Sequence, residues 1–238
     1  MGSNTDPLQV EVSPEHMWHG QGRHVLLLAG LLPGAYLVGA QTLADKTWLG
    51  LSGVAWLALA LGVPIVQQLG VALLWRAQLC HQSLTRAFGD AGFVVWGVLF
   101  FPLLIARPLA VLGLGIADAG SLALPLPLGV GLGVLLLAPA LWTMHSVKRH
   151  FGFGRALGGD HFFERYRAMP MVREGAFAYS SNAMYTFVFL GLWGLALLTR
   201  SQAALAAALF QHAYIWVHWY CTEQPDAVVL YGRSTDED

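Results

Sequence analysis

Ionisable residues are scarce in this chain, and those that could do chemistry are bunched. Between residues 145 and 182 the apolar pattern stops. There the sequence reads His145-Ser-Val-Lys-Arg-His150, then Asp160-His161-Phe-Phe-Glu164-Arg165, then Arg173-Glu174-Gly175. Imidazoles and carboxylates at this density suit proton transfer near neutral pH, and arginines suit anions. The same basic residues would also rest on anionic lipid headgroups, each worth roughly 1 kcal/mol near such a surface. A second group lies further on. His212, Trp216, Trp219 and Glu223 are spaced i, i+4, i+7 and i+11, one stripe of a regular helix, with His218 and Cys221 on other faces. A carboxylate directly after an apolar helix must find water, a cation or a ligand.

The elements that position these groups are membrane helices. Hydrophobic residues make up 56% of the 238 and charged residues 11%, against roughly 25% charged in an average soluble domain. Mean hydropathy is +0.55, and a soluble fold of this size would be short of polar surface. Apolar runs near the ~20 residues that cross a bilayer favour helices, because lipid leaves backbone polar groups no external partner. Spans are expected at about 25–43, 48–76, 92–116, 127–146, 183–199 and 202–221. The second is long enough to kink at Pro64, and Arg107-Pro108 would end the third early.

Residues 1–22 form a polar N-terminal segment without the features of a cleaved signal peptide. Residues 23–238 form one membrane domain, divided into a functional loop 147–182, a hairpin 183–221 and a C-terminal segment 222–238. Six spans place Arg23, Arg76, Arg86, Lys148, Arg149, Arg155, Arg165, Arg167, Arg173 and Arg233 on one side, against Lys46, Arg107 and Arg200 on the other. Ten against three puts both termini and the loop in the cytoplasm by the positive-inside rule. That corresponds to a bacterial inner membrane, or the endoplasmic reticulum of a eukaryote. Gly30/Gly34 and Gly129/Gly133 have the spacing of close helix contacts. Cys80 and Cys221 are too few for a disulfide framework and are expected as free thiols. Without a basic stripe with interleaved aromatics, the net charge of −1 gives no reason to expect nucleic acid. No metal is expected either, because the one close histidine pair, His16 and His19, falls far short of a di-iron ligand set.

The last two spans are joined by two or three residues, so topology alone brings the chain near 182 and near 223 together. At these residues the sequence resembles the integral-membrane methyltransferases, a group that includes phosphatidylethanolamine N-methyltransferases and isoprenylcysteine carboxyl methyltransferases. Their pattern is Gly-Pro-Tyr-x-Tyr-x-Arg-His-Pro-x-Tyr before a helical hairpin, then Glu-Glu and an aromatic-Gly pair. Here the first stretch reads Gly175-Ala-Phe177-Ala-Tyr179-Ser-Ser181-Asn182-Ala183-Met184-Tyr185, and the second Glu223-Gln224-Pro225-Asp226 through Tyr231-Gly232. The resemblance covers about 80 residues, the C-terminal third. The family's Arg-His-Pro is Ser181-Asn182-Ala183 in this chain, and its second Glu is Gln224.

The apolar runs give an all-α polytopic bundle of about six transmembrane helices, and the resemblance implies a pocket for S-adenosylmethionine at the cytoplasmic end of the C-terminal hairpin. It implies methyl transfer to a lipid or small amphiphile, a phospholipid amine first among them. By position the methyl donor would meet Gly175, Phe177, Tyr179, Asn182, Met184, Tyr185, Glu223 and Tyr231. Open backbone at Gly175 would allow close approach, and aromatic faces attract a sulfonium. Arg165 or Arg173 would supply the missing cation and, with His212 and Trp219, contact the acceptor. An ammonium acceptor must lose a proton, which His150, His161 or Glu164 would take. Other classes stay open at this point: an NADPH-dependent membrane reductase of the sterol type, and a non-enzymatic relative.

Overall fold

Prolines, glycines and short polar side chains decide where the apolar runs start and stop. A computed structural model describes residues 7–232; residues 1–6 of the polar N-terminal segment and Arg233 lie outside the described residues. After a 3-10 turn at Pro14–Trp18, helix α1 spans Gln21–Ala40. The chain then reverses through a two-stranded ribbon, β1 (Thr47–Trp48) against β2 (Leu51–Ser52), antiparallel with Thr47 opposite Ser52. Leu49 and Gly50 both have positive φ, 49° and 76°, as a tight hairpin turn requires. Helix α2 therefore begins at Gly53, five residues later than expected, capped by Ser52 Oγ, which accepts from the Ala55 amide at 3.1 Å. It runs to His81 without interruption at Pro64.

Helix α3 (Gly92–Ala117) continues through Arg107-Pro108 where the sequence suggested an end. The reason is tertiary. Arg107 is buried, its Nε donates to Gln211 Oε1 and its Nη1 to Gln67 Oε1, each at 3.0 Å, and the guanidinium lies 4.8 Å from the Phe189 ring centre. Neighbouring helices thus give Nε and Nη1 of this cation partners inside the apolar layer, while Nη2 is buried without one. Helix α4 (Leu126–Ser146) passes into a π turn at Val147–Phe151. A second π turn, Met184–Val188, leads into α5 (Leu190–Thr199). Helix α6 (Gln202–His218) passes through a third, Trp219–Glu223, into α7 (Gln224–Tyr231).

The helices form a polytopic bundle. Four helical stretches, Pro14–Ala40, Gly53–His81, Ser83–Ala117 and Leu126–Phe151, are long and apolar enough to cross a membrane, and Met184–Thr199 is a shorter apolar helix. The outward faces are apolar: Leu26, Leu37, Val98, Ile105, Leu135 and Leu141 are all exposed. That inverts a soluble surface and suits contact with hydrocarbon. Within the bundle, α1, α2, α3, α5 and α6 share a core of small and branched side chains, including Leu57, Val111, Leu114 and the alanines of α6.

One of the two glycine pairs is a packing device. A Cβ on Gly133 would lie 2.7 Å from Leu198 Cγ and 3.0 Å from the Gly194 carbonyl oxygen, and one on Gly194 2.9 Å from the Gly133 carbonyl, so α4 and α5 touch backbone to backbone. Gly30 and Gly34 have nothing within 4 Å and make no helix contact among the described residues.

At one end of the bundle Asp118 ties the turns together, accepting from Ser121 Oγ (2.6 Å), Ser201 Oγ (2.7 Å) and the Ala203 amide (3.1 Å). The α5–α6 reversal turns on Arg200, in the left-handed region at φ 50°. At the other end gather the N-terminal segment, the α2–α3 connection, residues 147–182 and α7. The 147–182 segment is folded onto the bundle: Trp96 Nε1 donates to the Leu157 carbonyl at 2.8 Å, and Phe93 packs edge-on against Phe162 and Phe163.

Candidate functional site

Asp226, at the start of α7, organises this end. It is fully buried, and its Oδ1 accepts from Arg76 Nε at 3.0 Å and lies 2.7 Å from His16 Nε2. Its Oδ2 is 3.5 Å from His161 Nε2. Arg76, equally buried, also donates to the carbonyls of His19, Cys221 (3.1 Å) and Thr222 (3.2 Å). One carboxylate and one guanidinium therefore join the N-terminal segment, α2, the 147–182 segment and the π turn after α6. Burial pushes the Asp226 carboxyl up, but the hydrogen bond with His16, the nearby charge of His161 and the charge of Arg76 outweigh it and hold the group below the usual carboxylate range. Neither Arg76 nor Asp226 was singled out from sequence. Arg76 was counted with the loop cations, yet an arginine inside a long apolar helix is itself a signal.

Above this pair opens a cavity of about 680 Å³, within the roughly 300–1,000 Å³ typical of small-molecule sites. Residues 177–185 form one wall, 219–231 a second, and 155–173 with Trp75 of α2 a third. Phe177 is stacked on Phe151 with centroids 4.9 Å apart, and Trp75 covers His161 at 4.6 Å. Two polar clusters face inward. In one, Tyr231 donates to Asp160 Oδ2 (2.6 Å) and His161 Nδ1 lies 3.0 Å from Asp160 Oδ1. In the other, the Tyr185 hydroxyl lies 2.5 Å from both oxygens of Glu223, and Trp216 packs edge-on against Tyr185.

Electrostatics separate the histidines. Burial opposes a charge on His161, but the adjacent Asp160 and the contact with Asp226 dominate and lift it to about 10. His161 is therefore an imidazolium at neutral pH. Asp160 is lowered: burial opposes ionisation, and the charge and hydrogen bond of His161 overcome it. Tyr231 is raised by burial and then by Asp160.

The sequence-derived residues divide cleanly. Phe177, Tyr179, Asn182, Met184, Tyr185, Trp219, Glu223 and Tyr231 all line the cavity, together with Arg173 and His161. Gly175 does not. Its φ of +60° and its approach to Ser146, whose Oγ would be 2.6 Å from an added Cβ, give it a backbone role against α4 instead of an open face for a ligand. His150 pairs with Glu174 at 2.8 Å and stays outside. Glu164 is paired with Arg167, and Arg165 lies over the Phe163 ring at 4.3 Å, so neither reaches the cavity. His212 stacks on Phe189 at 5.4 Å, below the cavity.

Arg155 was missed. Buried and lining the cavity, it donates to the Pro170 carbonyl at 2.8 Å and sits 5.0 Å from the Phe151 ring. It is a cation in the region where the Ser181-Asn182-Ala183 departure removes one. The expected helical stripe also needs correction. The π turn at Trp219–Glu223 closes hydrogen bonds five residues apart, which turns His218 to the face of Glu223, 3.3 Å from Nε2 to Oε1. Cys80 and Cys221 are both free thiols, as expected. Among the described residues no group of three or more His, Cys, Asp or Glu comes together to hold a metal ion.

Both halves of the motif pattern thus line one cavity. Residues 128–234 match the phospholipid methyltransferase family. The match extends the resemblance upstream through α4. A phosphatidylethanolamine N-methyltransferase of Arthroderma otae is 30% identical over 103 residues, covering 43% of this chain and 10% of that protein. One of Lodderomyces elongisporus is 30% identical over 79 residues, 33% of this chain and 9% of that protein. The chain spans about a tenth of the length of these curated relatives. No solved structure matches it.

The donor set fits S-adenosylmethionine on the structure's own terms. Tyr179, Tyr185 and Trp219 offer aromatic faces to a sulfonium and an adenine. Glu223 retains acceptor capacity beyond its contact with Tyr185, and Trp75 Nε1 is a buried donor at the cavity wall without a hydrogen-bond partner.

Proposed function

We propose that this chain transfers methyl groups from S-adenosylmethionine to a lipid or small amphiphile at the cytoplasmic face of the membrane, with a phospholipid amine as the acceptor. The observation that carries the reading is the convergence of Phe177–Tyr185 with Glu223–Tyr231 on one cavity, beside the hairpin α5–α6. The names of the similar fungal proteins support the choice of acceptor. The gathering of basic segments at the cavity end, together with the bias of ten against three in the sequence, supports a cytoplasmic orientation.

When bound, S-adenosylmethionine supplies an activated methyl group on a sulfonium. The residues of this chain orient it and exclude water. Phe177, Tyr179 and Met184 supply the apolar wall, Asn182 a polar contact, and Glu223 an acceptor for amino or hydroxyl protons. Arg155 and Arg173 give the cavity its cationic side, suited to a carboxylate or a phosphate. Alignment of this kind contributes several kcal/mol to a displacement.

The bases expected from sequence do not suit the task. His161 is held as an imidazolium by two carboxylates, and His150 and Glu164 lie outside the cavity. Among carboxylates facing the cavity, Asp160 is occupied by His161 and Tyr231. Glu223 remains.

The deciding experiment is calorimetric titration of the detergent-purified protein with S-adenosylhomocysteine, with NADPH run on the same preparation. Saturable binding of S-adenosylhomocysteine is expected. NADPH binding in its place would transfer the chain to the membrane reductases, and binding of neither would point to a non-enzymatic relative.

A further inference from the structure

His218 is buried, with 1% of its surface exposed, and neither ring nitrogen has a hydrogen-bond partner. Its Nε2 is nonetheless 3.3 Å from Glu223 Oε1, close enough for an ion pair but not aligned as a hydrogen bond. Leaving buried polar atoms unsatisfied costs roughly 1–3 kcal/mol each, and such exceptions in a native fold call for an explanation such as catalysis. The other side of Glu223 faces the cavity. His218 therefore stands directly behind the carboxylate that meets the ligand.

Charged and titratable groups around the pair are His24 of α1, edge-on to His218 at 5.9 Å, Tyr214 of α6, which bonds His24 at 3.0 Å, Arg76 of α2, whose charge acts on His24, and Tyr185, which donates to Glu223 and is acted on by the charges of Arg107 and Asp160. The resemblance places an imidazole in the motif position that is Asn182 here. His218 brings an imidazole from a different element to the back of Glu223, outside the cavity lining.

We propose that Glu223 and His218 form the proton-accepting pair for an amine acceptor, a role that rests on the methyl-transfer reading above. An ammonium N–H bond breaks and its proton goes to the Glu223 carboxylate. The electron pair left on nitrogen forms the bond to the methyl carbon, while the carbon–sulfur pair stays with sulfur, leaving a neutral thioether. Glu223 then passes the proton to His218 Nε2, which restores the carboxylate beside an imidazolium. One proton is released for each methyl group transferred. An imidazole is intrinsically a stronger base than a carboxylate, so the relay runs from Glu223 to His218.

The test compares wild-type protein and His218→Gln in phosphatidylethanolamine nanodiscs with S-adenosylmethionine, across pH 6 to 9. S-adenosylhomocysteine affinity should be unchanged in the variant, while kcat at pH 7 falls by about 100-fold. The loss should shrink as pH rises, log kcat climbing with unit slope, because solvent then removes the proton that the pair no longer takes. Equal rates, or a loss of the same size at every pH, would overturn the proposal. A wild-type protein that fails to bind S-adenosylhomocysteine would instead remove the methyl-transfer reading. If His218→Gln does not fold, nitrogen-15 imidazole spectra of wild type and Glu223→Gln at one fixed pH provide a second measurement without turnover. One Nε2 resonance should move between the two, and identical imidazole spectra would overturn the pairing.

Discussion

Arg76 and Asp226, 150 positions apart in sequence, form a buried ion pair with Nε and Oδ1 3.0 Å apart. Asp226→Ala leaves a buried guanidinium uncompensated and should destabilise the protein by about 3–5 kcal/mol. The double variant Arg76→Met/Asp226→Leu should recover much of that loss, since neither charge then remains in the interior. Thermal unfolding in detergent reports both, and a harmless Asp226→Ala would show that the pair does not hold this end together.

The histidine held between Asp160 and Asp226 makes stability pH-dependent. His161 is raised to about 10 in the fold, above the ordinary ~6.5. Its contribution is therefore complete below about 6.5 and is lost as pH rises through about 10. Asp160 and Asp226 are lowered, so their contributions are present above the ordinary carboxylate value and fade as pH falls. Melting temperature should be highest between these limits and decline from pH 7 to 10. His161→Gln should flatten the alkaline decline, and a wild-type melting temperature that is level up to pH 10 would contradict the assignment.

Tyr185 positions Glu223 through its hydroxyl. Tyr185→Phe removes one hydrogen bond to a charged group, worth about 1.5–3 kcal/mol, and should weaken S-adenosylhomocysteine binding by roughly ten- to a hundredfold. Glu223→Gln should weaken it as well, with little loss of folded protein. Calorimetry on well-folded variants decides the matter, and unchanged affinity in both would remove Glu223 from the proposed methyl-donor site.

The two glycine pairs should respond in opposite ways to alanine. Gly133→Ala drives a methyl into Leu198 and the Gly194 carbonyl, at a cost of about 1–3 kcal/mol. Gly30→Ala and Gly34→Ala meet open space and should be neutral or stabilising by up to about 1 kcal/mol each, because alanine favours the helix. Unfolding of the single variants in detergent measures the contrast. An equal effect at Gly133 and Gly30 would show that α4 and α5 do not rely on backbone contact.

Composition and apolar run length were enough to specify a multi-pass helical bundle, because a helix in hydrocarbon satisfies its own backbone and each run is judged locally. The motif spacing was enough to bring Phe177, Tyr179, Asn182 and Met184 to the same cavity as Glu223, because a short hairpin leaves its two ends no choice but to meet. Helical periodicity failed at one turn. A π turn at Trp219–Glu223 has no signature in residue type, so the expected stripe set His218 on a different face from Glu223 when the two share one.

Tertiary structure alone decided which charges work at the cavity. His150, His161 and Glu164 look alike along the chain, yet one pairs with Glu174 outside, one is locked as an imidazolium, and one is bound to Arg167. Arg76 and Arg107 read as cations of opposite membrane faces, and both are buried among partners drawn from distant segments. Sequence by itself determined the helices, their order and the hairpin that carries the motif, since these follow from neighbouring residues and a uniform solvent. The charge state and reach of each ionisable group depend on burial and on partners 70 to 150 positions away, such as Tyr231 for Asp160 and Arg76 for Asp226. Those distances exist only once the chain has folded.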